Sequence, residues 1–163
     1  MHNALNQLDN TQVPAPQIID KAAVARSFGK AAASYDKHAI LQRQTSAELL
    51  ALLPDAIKNN HKQLRQIVDL GCGSGAMLAE LAGYADNVIA ADLSIEMLKQ
   101  AQTAVSSYET KTASNHAWLN LDAEALPFSD NSIDLIVSNL ALQWCDDLAV
   151  PVREMMRCIK PGG

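Results

Sequence analysis

This sequence of 163 residues is poor in aromatic residues and cysteine, and it has no long apolar run. Phe, Trp and Tyr make up 4% of the chain, so a core must be built from Ala, Leu, Ile and Val. The cysteines, Cys72, Cys145 and Cys158, are odd in number and form no CxxC pair, which argues against a disulfide framework or a cysteine zinc site and favours a cytoplasmic location. No stretch approaches the ~20 apolar residues of a membrane span.

The chain also lacks the strong positive charge that is typical of nucleic-acid binders, because its net charge is −5. Residues 21–65 nevertheless contain eight Lys or Arg residues and three acidic residues, a net charge of +5. The rest of the chain contains five basic and fifteen acidic residues, a net charge of −10. This segment is either a set of solvated helix faces or a basic surface for an acidic partner. We expect neither a nucleic-acid nor a membrane partner.

Hydrophobic periodicity predicts helices that alternate with short apolar strands. A first helix is expected from about residue 20, with Phe28 and Tyr35 in its apolar stripe, and a second over 39–53 that ends before a proline. A polar connector is expected over 55–64. Further along the chain, strands are predicted at 67–70, 88–92, 116–121 and 133–137, and helices at 76–85, 95–105 and 147–158. This alternation is typical of a parallel sheet with crossover helices, an α/β fold.

These elements suggest three parts: a flexible tail over 1–17, an N-terminal helical lid and connector over 18–65, and a Rossmann-like cofactor-binding domain over 66–163. The Pro-Gly-Gly that follows the last helix normally leads into another strand. We therefore expect the sheet to be truncated after the fourth strand and its helix, with the C-terminal part of the domain missing and the fragment itself inactive.

A glycine-rich turn follows the first predicted strand. Gly71 and Gly73 allow a sharp turn and the close approach of a ligand, and Asp92 at the end of the second strand can accept hydrogen bonds from ribose hydroxyls. Both a dinucleotide and S-adenosylmethionine fit this pattern. Asp69 would repel a diphosphate but attract an ammonium and a sulfonium group, which favours S-adenosylmethionine.

The ends of the third and fourth strands carry further polar residues. Asp122 can accept a hydrogen bond from the adenine amino group, and the amide of Ala123 can reach a ring nitrogen. Asn139 and Leu140 close the fourth strand, beside the expected methyl donor. Because the carboxyl ends of parallel strands meet at one edge of the sheet, these residues are expected to share a site with Asp92.

Several of these stretches resemble known motifs. Residues 68–75 are similar to the first motif of class I S-adenosylmethionine-dependent methyltransferases, and 92–94, 122–128 and 160–163 resemble the later motifs of that superfamily. Within it, the chain most resembles the family of malonyl-acyl-carrier-protein O-methyltransferases of biotin synthesis, and the stretches that carry this closer likeness are 25–36, 41–44 and 138–145.

The resemblance implies methyl transfer from S-adenosylmethionine to the free carboxylate of a malonyl group on acyl carrier protein. It implies a set of cofactor-binding residues: Tyr35, Asp69, Gly71, Cys72, Gly73, Asp92, Leu93, Met97, Asp122, Ala123, Asn139 and Leu140. A carboxylate acceptor is ionised at pH 7, so we expect no catalytic base and no metal, only positioning and exclusion of water. Arg153 is our candidate for orienting the substrate carboxylate through its guanidinium.

Three other functions stay open at this point. A methyltransferase of the same fold could act on a quinone precursor or another small acceptor. An NAD-binding oxidoreductase domain is disfavoured by Asp69. A truncated chain could also be a cofactor-binding module without catalytic activity.

Overall fold

The computed structural model of this chain describes residues 18–38, 40–58, 64–107 and 114–163, and the side chains of 31–38 are outside this description. The predicted tail over 1–17 lies outside the described residues. The elements, in chain order, are α1 (Lys21–His38), α2 (Ile40–Ala51), α3 (Asp55–Lys58), β1 (Leu64–Leu70), α4 (Leu78–Leu81), β2 (Ala85–Asp92), α5 (Ile95–Ser106), β3 (Asn115–Asn120), β4 (Leu135–Val137), a 3-10 turn (Leu142–Trp144) and α6 (Ala149–Cys158).

The four strands form one parallel sheet in the order β3-β2-β1-β4, which confirms the α/β fold. Val68 of β1 lies opposite Ile89 of β2 on one side and Ile136 of β4 on the other. The chain passes outward from β1 to β3 and then returns to the other side of β1. Ligands in such sheets bind at the carboxyl ends of the strands, where this reversal opens a crevice.

Both faces of the central strands β1 and β2 are buried, as is typical of parallel sheets. Ile67 of β1 belongs to a core cluster that includes residues of α2, α3, α4 and α5. Its neighbour Val68 points to the other face and joins a second cluster with Ile133 and Cys158 of α6. Apolar residues on successive positions of β1 are therefore required, because each face has its own core.

Two local expectations were wrong. The connector over 55–64 contains a helical turn, Asp55–Lys58, because Ile57 is buried against the first core cluster, and β1 already begins at Leu64. The helix expected over 76–85 is only one turn, α4, because the chain joins the sheet early: the amide of Leu64 donates to the carbonyl of Tyr84, and the next residue begins β2.

The start of β4 is held by side chains rather than by a long strand. Asp134 accepts hydrogen bonds from the amides of Arg65 and Gln66 at 3.1 and 2.9 Å, and from Lys160 Nζ at 2.7 Å. The strand predicted over 133–137 is thus regular only from Leu135, and before it Ile133 forms a single β-bridge with Ile159.

Among the helices of the described ranges, none is long and apolar enough to cross a membrane.

Asp69 lies in the most buried part of β1. Its side chain is 0% exposed, and neither carboxyl oxygen has a hydrogen-bond partner within the part of the chain that the structure describes. Burial, with a smaller effect from the carboxylate of Asp92, raises the pKa of Asp69 to about 7 from its ordinary value of 3.8. The ionised side chain is therefore a source of instability in the folded protein.

We expect Asp69→Asn to change the pH dependence of stability. The pKa of Asp69 is about 7 in the folded state and has its ordinary value of 3.8 in the unfolded state. The contribution of this carboxyl to folded-state stability is therefore fully present below pH 3.8 and is lost as pH rises through 7. Three pKa units correspond to about 4 kcal/mol. In urea denaturation, the stability of the variant relative to the unaltered chain should be higher at pH 8 than at pH 5. Asp86→Asn, at an exposed position of β2, should show no such difference, and a gap that is the same at both pH values would contradict the prediction.

Candidate cofactor-binding site

The glycine turn after β1 is bound to the end of β2. The amides of Gly71 and Cys72 both donate to the carbonyl of Ala91, at 2.7 and 3.0 Å. Gly71 has a φ of 77°, and a Cβ there would lie 2.2 Å from the Cβ of Ala141, so no other residue fits. Gly73 has a φ of 54° with open space where its Cβ would be, which leaves its backbone accessible.

Asp92 links this turn to the helix that follows. Its Oδ2 accepts a hydrogen bond from the amide of Gly73 at 2.9 Å, and its Oδ1 accepts one from the amide of Ser94 at 2.8 Å. Burial raises the pKa of Asp92, and the amide hydrogen bonds oppose that rise. Each oxygen keeps a further lone pair, so the carboxylate can still accept two hydroxyl donors.

A cavity at the carboxyl ends of the strands brings together most of the cofactor-binding residues predicted from the sequence. Those that line it are Gly71, Gly73, Asp92, Leu93, Met97, Asp122, Ala123, Asn139 and Leu140. Met97 is buried at 1% exposure, and Ser94 caps α5 by accepting a hydrogen bond from the amide of Met97 at 3.4 Å. The cavity is therefore walled by acids at two strand ends and by apolar side chains between them.

Asp122 is oriented from two sides. Its Oδ1 accepts a hydrogen bond from the amide of Glu124 at 3.0 Å, and its Oδ2 pairs with Lys21 Nζ at 2.5 Å. Lys21 also forms an ion pair with Glu124. The first residue of α1 therefore reaches the far end of the cavity, a contact that the sequence pattern did not signal.

The end of β4 connects the cavity to α2. Ser138 Oγ donates to the carbonyl of Leu70 at 2.8 Å, and Asn139 Nδ2 donates to the carbonyl of Gln42 at 3.0 Å and to Ser46 Oγ at 2.8 Å. Leu140 has a φ of 52°, in the left-handed region that leucine rarely adopts. Such strain is concentrated at functional sites, because the surrounding contacts hold it in place.

Helix α1 covers the outer side of this cavity. The ring of Phe28 packs edge-on against Trp144 with centroids 5.5 Å apart, and both side chains line the cavity. A Cβ on Gly29 would lie 3.0 Å from Glu96 Oε2, so α1 runs close to α5. Trp144 was not among the predicted cofactor residues, although it belongs to the stretch 138–145 that carries the resemblance to the O-methyltransferases.

Three of the predicted residues that the structure describes do not line this cavity. Asp69 is buried beneath the glycine turn, and Cys72 lines a second cavity on the other side of that turn. Arg153 is exposed on α6 and lines neither cavity, so its role stays a prediction. Tyr35 belongs to α1, but its side chain lies outside the described residues.

The donors of the glycine turn distinguish between the two cofactors. A dinucleotide site offers the diphosphate free amides and a helix that begins directly after the glycines. Here the amides of Gly71, Cys72 and Gly73 are all hydrogen-bonded within the protein, and α4 begins only at Leu78. The site therefore fits a nucleoside with a cationic group better than a diphosphate.

Within the described ranges, no cluster of side chains is suited to hold a metal ion.

Comparison with known proteins agrees with this geometry. The chain is 41% identical over 146 residues to the malonyl-[acyl-carrier protein] O-methyltransferase of Pseudescherichia vulneris, which covers 90% of this chain and 53% of that protein. It is 40% identical over 145 residues to the biotin biosynthesis bifunctional protein BioHC of Cellvibrio japonicus. This match covers 89% of this chain and 26% of that protein. The chain thus spans about half the length of the curated O-methyltransferases that it matches.

The likeness extends to solved structures and to a whole domain family. An S-adenosylmethionine dependent methyltransferase from Mesorhizobium loti superposes with a TM-score of 0.56 at 33% identity, over 72% of this chain and 49% of that one. The profile of the methyltransferase domain matches residues 68–163, from β1 to the last residue of the sequence. Since this match covers more than half of the sequence, the chain belongs to the methyltransferase domain family.

Proposed function

We propose that this chain carries the cofactor site of an S-adenosylmethionine-dependent O-methyltransferase, whose acceptor is the free carboxylate of a malonyl thioester on acyl carrier protein in biotin synthesis. The observation that carries the proposal is the acid-lined cavity beside a glycine turn whose amides are already hydrogen-bonded. The acceptor and the pathway rest on the similarity to the O-methyltransferases and to the bifunctional biotin biosynthesis protein.

In this proposal the chain's residues bind the adenosine part of the cofactor along the strand ends. Asp92 accepts hydrogen bonds from the ribose hydroxyls, with its two oxygens held by the amides of Gly73 and Ser94. Asp122 accepts one from the adenine amino group, and the buried side chain of Met97 packs against the base. Charge-assisted hydrogen bonds of this kind are among the strongest that a protein can offer a neutral nucleoside.

The chemical step asks little of the protein beyond positioning. Bound S-adenosylmethionine would supply an electrophilic methyl group, which passes to the carboxylate oxygen as its bond to sulfur breaks. The acceptor carboxyl has a pKa near 4 and is ionised at pH 7, so no side chain has to remove a proton. The paired rings of Phe28 and Trp144 form part of the outer wall of the cavity, and in this proposal they limit the access of water to the reacting groups.

The carrier protein is expected to meet the part of the basic segment that lies on α1. Arg26 and Lys30 are exposed on α1, which covers the cofactor cavity, so an acidic partner bound there would be close to the site. Such charges mainly raise the rate of encounter. Cytoplasmic location is part of the proposal and is consistent with the free thiols of Cys72, Cys145 and Cys158.

Calorimetry with S-adenosylhomocysteine tests the cofactor assignment. Asp92→Asn should weaken its binding about 10- to 100-fold, because hydrogen bonds to a charged group are worth roughly 1.5–3 kcal/mol. Asp86→Asn, at the exposed start of the same strand, is the matched control and should bind normally. Tighter binding of NAD than of S-adenosylhomocysteine by the unaltered chain would refute the assignment.

The acceptor is tested with S-adenosylmethionine and two forms of acyl carrier protein. Malonyl carrier protein should gain one methyl group, detected as a methyl ester by mass spectrometry, whereas acetyl carrier protein should gain none because it lacks the free carboxylate. The gene that encodes this chain, with any coding sequence that continues it, should also restore growth without biotin to a strain that lacks this methyltransferase. Methylation of a different small acceptor, without rescue, would favour another methyltransferase of the same fold.

Charge reversal on α1 tests the carrier-protein surface. Lys30→Glu should raise the KM for malonyl carrier protein about 3- to 10-fold at low salt and leave binding of S-adenosylhomocysteine unchanged, because the charge acts on encounter. Added salt should reduce the difference between the variant and the unaltered protein. Arg65→Glu, at the opposite end of β1 from the glycine turn, should have no effect on this KM. A KM that does not respond to Lys30→Glu or to salt would contradict the proposed surface.

A further inference from the structure

Lys21 places a cation in the cavity at the carboxyl ends of the strands. Of the described residues that line this cavity, it is the only one with a positively charged side chain, whereas Asp92 and Asp122 contribute carboxylates. The side chain of Lys21 is only 23% exposed. A lysine gives up this much hydration only where it has partners, because its ammonium group is strongly hydrated in water. Lys21 therefore differs from an ordinary solvated residue of a helix surface.

The partners of Lys21 are two acids of the loop after β3. Its Nζ lies 2.5 Å from Asp122 Oδ2, and it also forms an ion pair with Glu124. Glu124 is 13% exposed and accepts further hydrogen bonds from the amides of Asp146 and Asp147, at 3.5 and 3.3 Å. Lys21 thus holds two carboxylates side by side that would repel each other without it.

The contact with Lys21 also sets the orientation of Asp122. Its Oδ1 accepts a hydrogen bond from the amide of Glu124 at 3.0 Å, and its Oδ2 accepts one from Lys21. With the amide contact alone, the carboxylate could still turn about that hydrogen bond, since the side chain of Asp122 is 34% exposed. Contacts on both oxygens fix its plane, and each oxygen keeps a lone pair for a further donor. The direction of those lone pairs therefore depends on Lys21.

Lys21 belongs to the face of α1 that covers the cavity. Lys21, Val24 and Phe28 all line the cavity, at the spacing of one helix face. The ring of Phe28 attaches the middle of the helix to Trp144, and the ion pairs of Lys21 attach its first turn to the loop after β3. The N-terminal end of α1 is therefore bound to the same carboxylate that the proposed function assigns to the adenine amino group.

We propose that Lys21 is a positioning residue for adenine recognition, whose ammonium group holds the carboxylate of Asp122 in the orientation that accepts a hydrogen bond from the adenine amino group. The inference rests on the proposed cofactor and not on the proposed acceptor. An acceptor carboxylate is a poor partner for Lys21, because its ammonium group already faces two carboxylates at this end of the cavity. The same contact couples α1 to the base, so that a bound adenine and an attached α1 stabilise each other.

Removal of one group from the ligand isolates this role in calorimetry. The two ligands are S-adenosylhomocysteine and its purine analogue, which has a hydrogen atom in place of the 6-amino group. Lys21→Met should weaken binding of S-adenosylhomocysteine about 3- to 30-fold, because a misdirected carboxylate loses part of its hydrogen bond, and should change binding of the purine analogue by less than about twofold. Lys21→Arg should restore most of the affinity, since it keeps a cation that can pair with both carboxylates.

A double-mutant cycle shows whether Lys21 acts through Asp122. Asp122→Ala alone should weaken binding of S-adenosylhomocysteine about 10- to 100-fold, and the addition of Lys21→Met should cause little further loss. Lys99→Met, which replaces an exposed lysine of α5, is the matched control and should bind both ligands as the unaltered chain does.

Each other outcome has a distinct meaning. Equal weakening of both ligands by Lys21→Met would overturn the proposal, because Lys21 would then act on the shape of the cavity and not on Asp122. Unchanged binding of S-adenosylhomocysteine, or additive losses in the double variant, would overturn it as well. If the unaltered chain bound both ligands equally, the role of Asp122 would fail and this inference with it, whereas the cofactor would stand. If it bound neither ligand, the proposed function itself would fail.

Discussion

The hydrogen bonds between the glycine turn and the end of β2 are the interaction on which the site depends. The carbonyl of Ala91 accepts from two amides of the turn, and Asp92 accepts from a third. These bonds place the turn beside the crevice and orient Asp92, and they also remove the donors that a phosphate would need. One local arrangement therefore sets the position of the site and excludes a class of ligand. It also keeps a carboxylate, with its affinity for hydroxyl and cationic groups, at the centre of the cavity.

The N-terminal helices form part of the site, although the match to the methyltransferase domain begins only at residue 68. Lys21 reaches Asp122, Phe28 packs against Trp144, and α2 is bound to Asn139. The domain common to the family thus provides the strand ends and the turn, and the helices before it provide the cover. Features that differ between methyltransferases, such as the acceptor and the exclusion of water, are expected to depend on this cover more than on the sheet.

Two unfavourable features lie in the site or in the strand that leads to it. Asp69 is buried without a hydrogen-bond partner among the described residues, and Leu140 has a left-handed backbone. Each reduces stability by an amount that the rest of the fold must offset, through the apolar clusters on both faces of the sheet and the contacts of Asp134. Buried polar groups without partners and strained backbone conformations are commonly found where a protein binds its ligand.

The sequence by itself determined the positions of the four strands in the chain, the glycine turn, and the strand-end residues Asp92, Asp122 and Asn139. These follow from local patterns, because apolar runs define parallel strands and the carboxyl ends of such strands meet at one edge. Tertiary structure alone decided that Asp69 is buried, that α4 is a single turn, and that Lys21 and Gln42 reach the site. Lys21 and Asp122 are 101 residues apart in the chain, and Gln42 and Asn139 are 97 apart. Contacts between residues so far apart in the chain leave no periodic pattern in the sequence, because they depend on how the helices pack against the sheet.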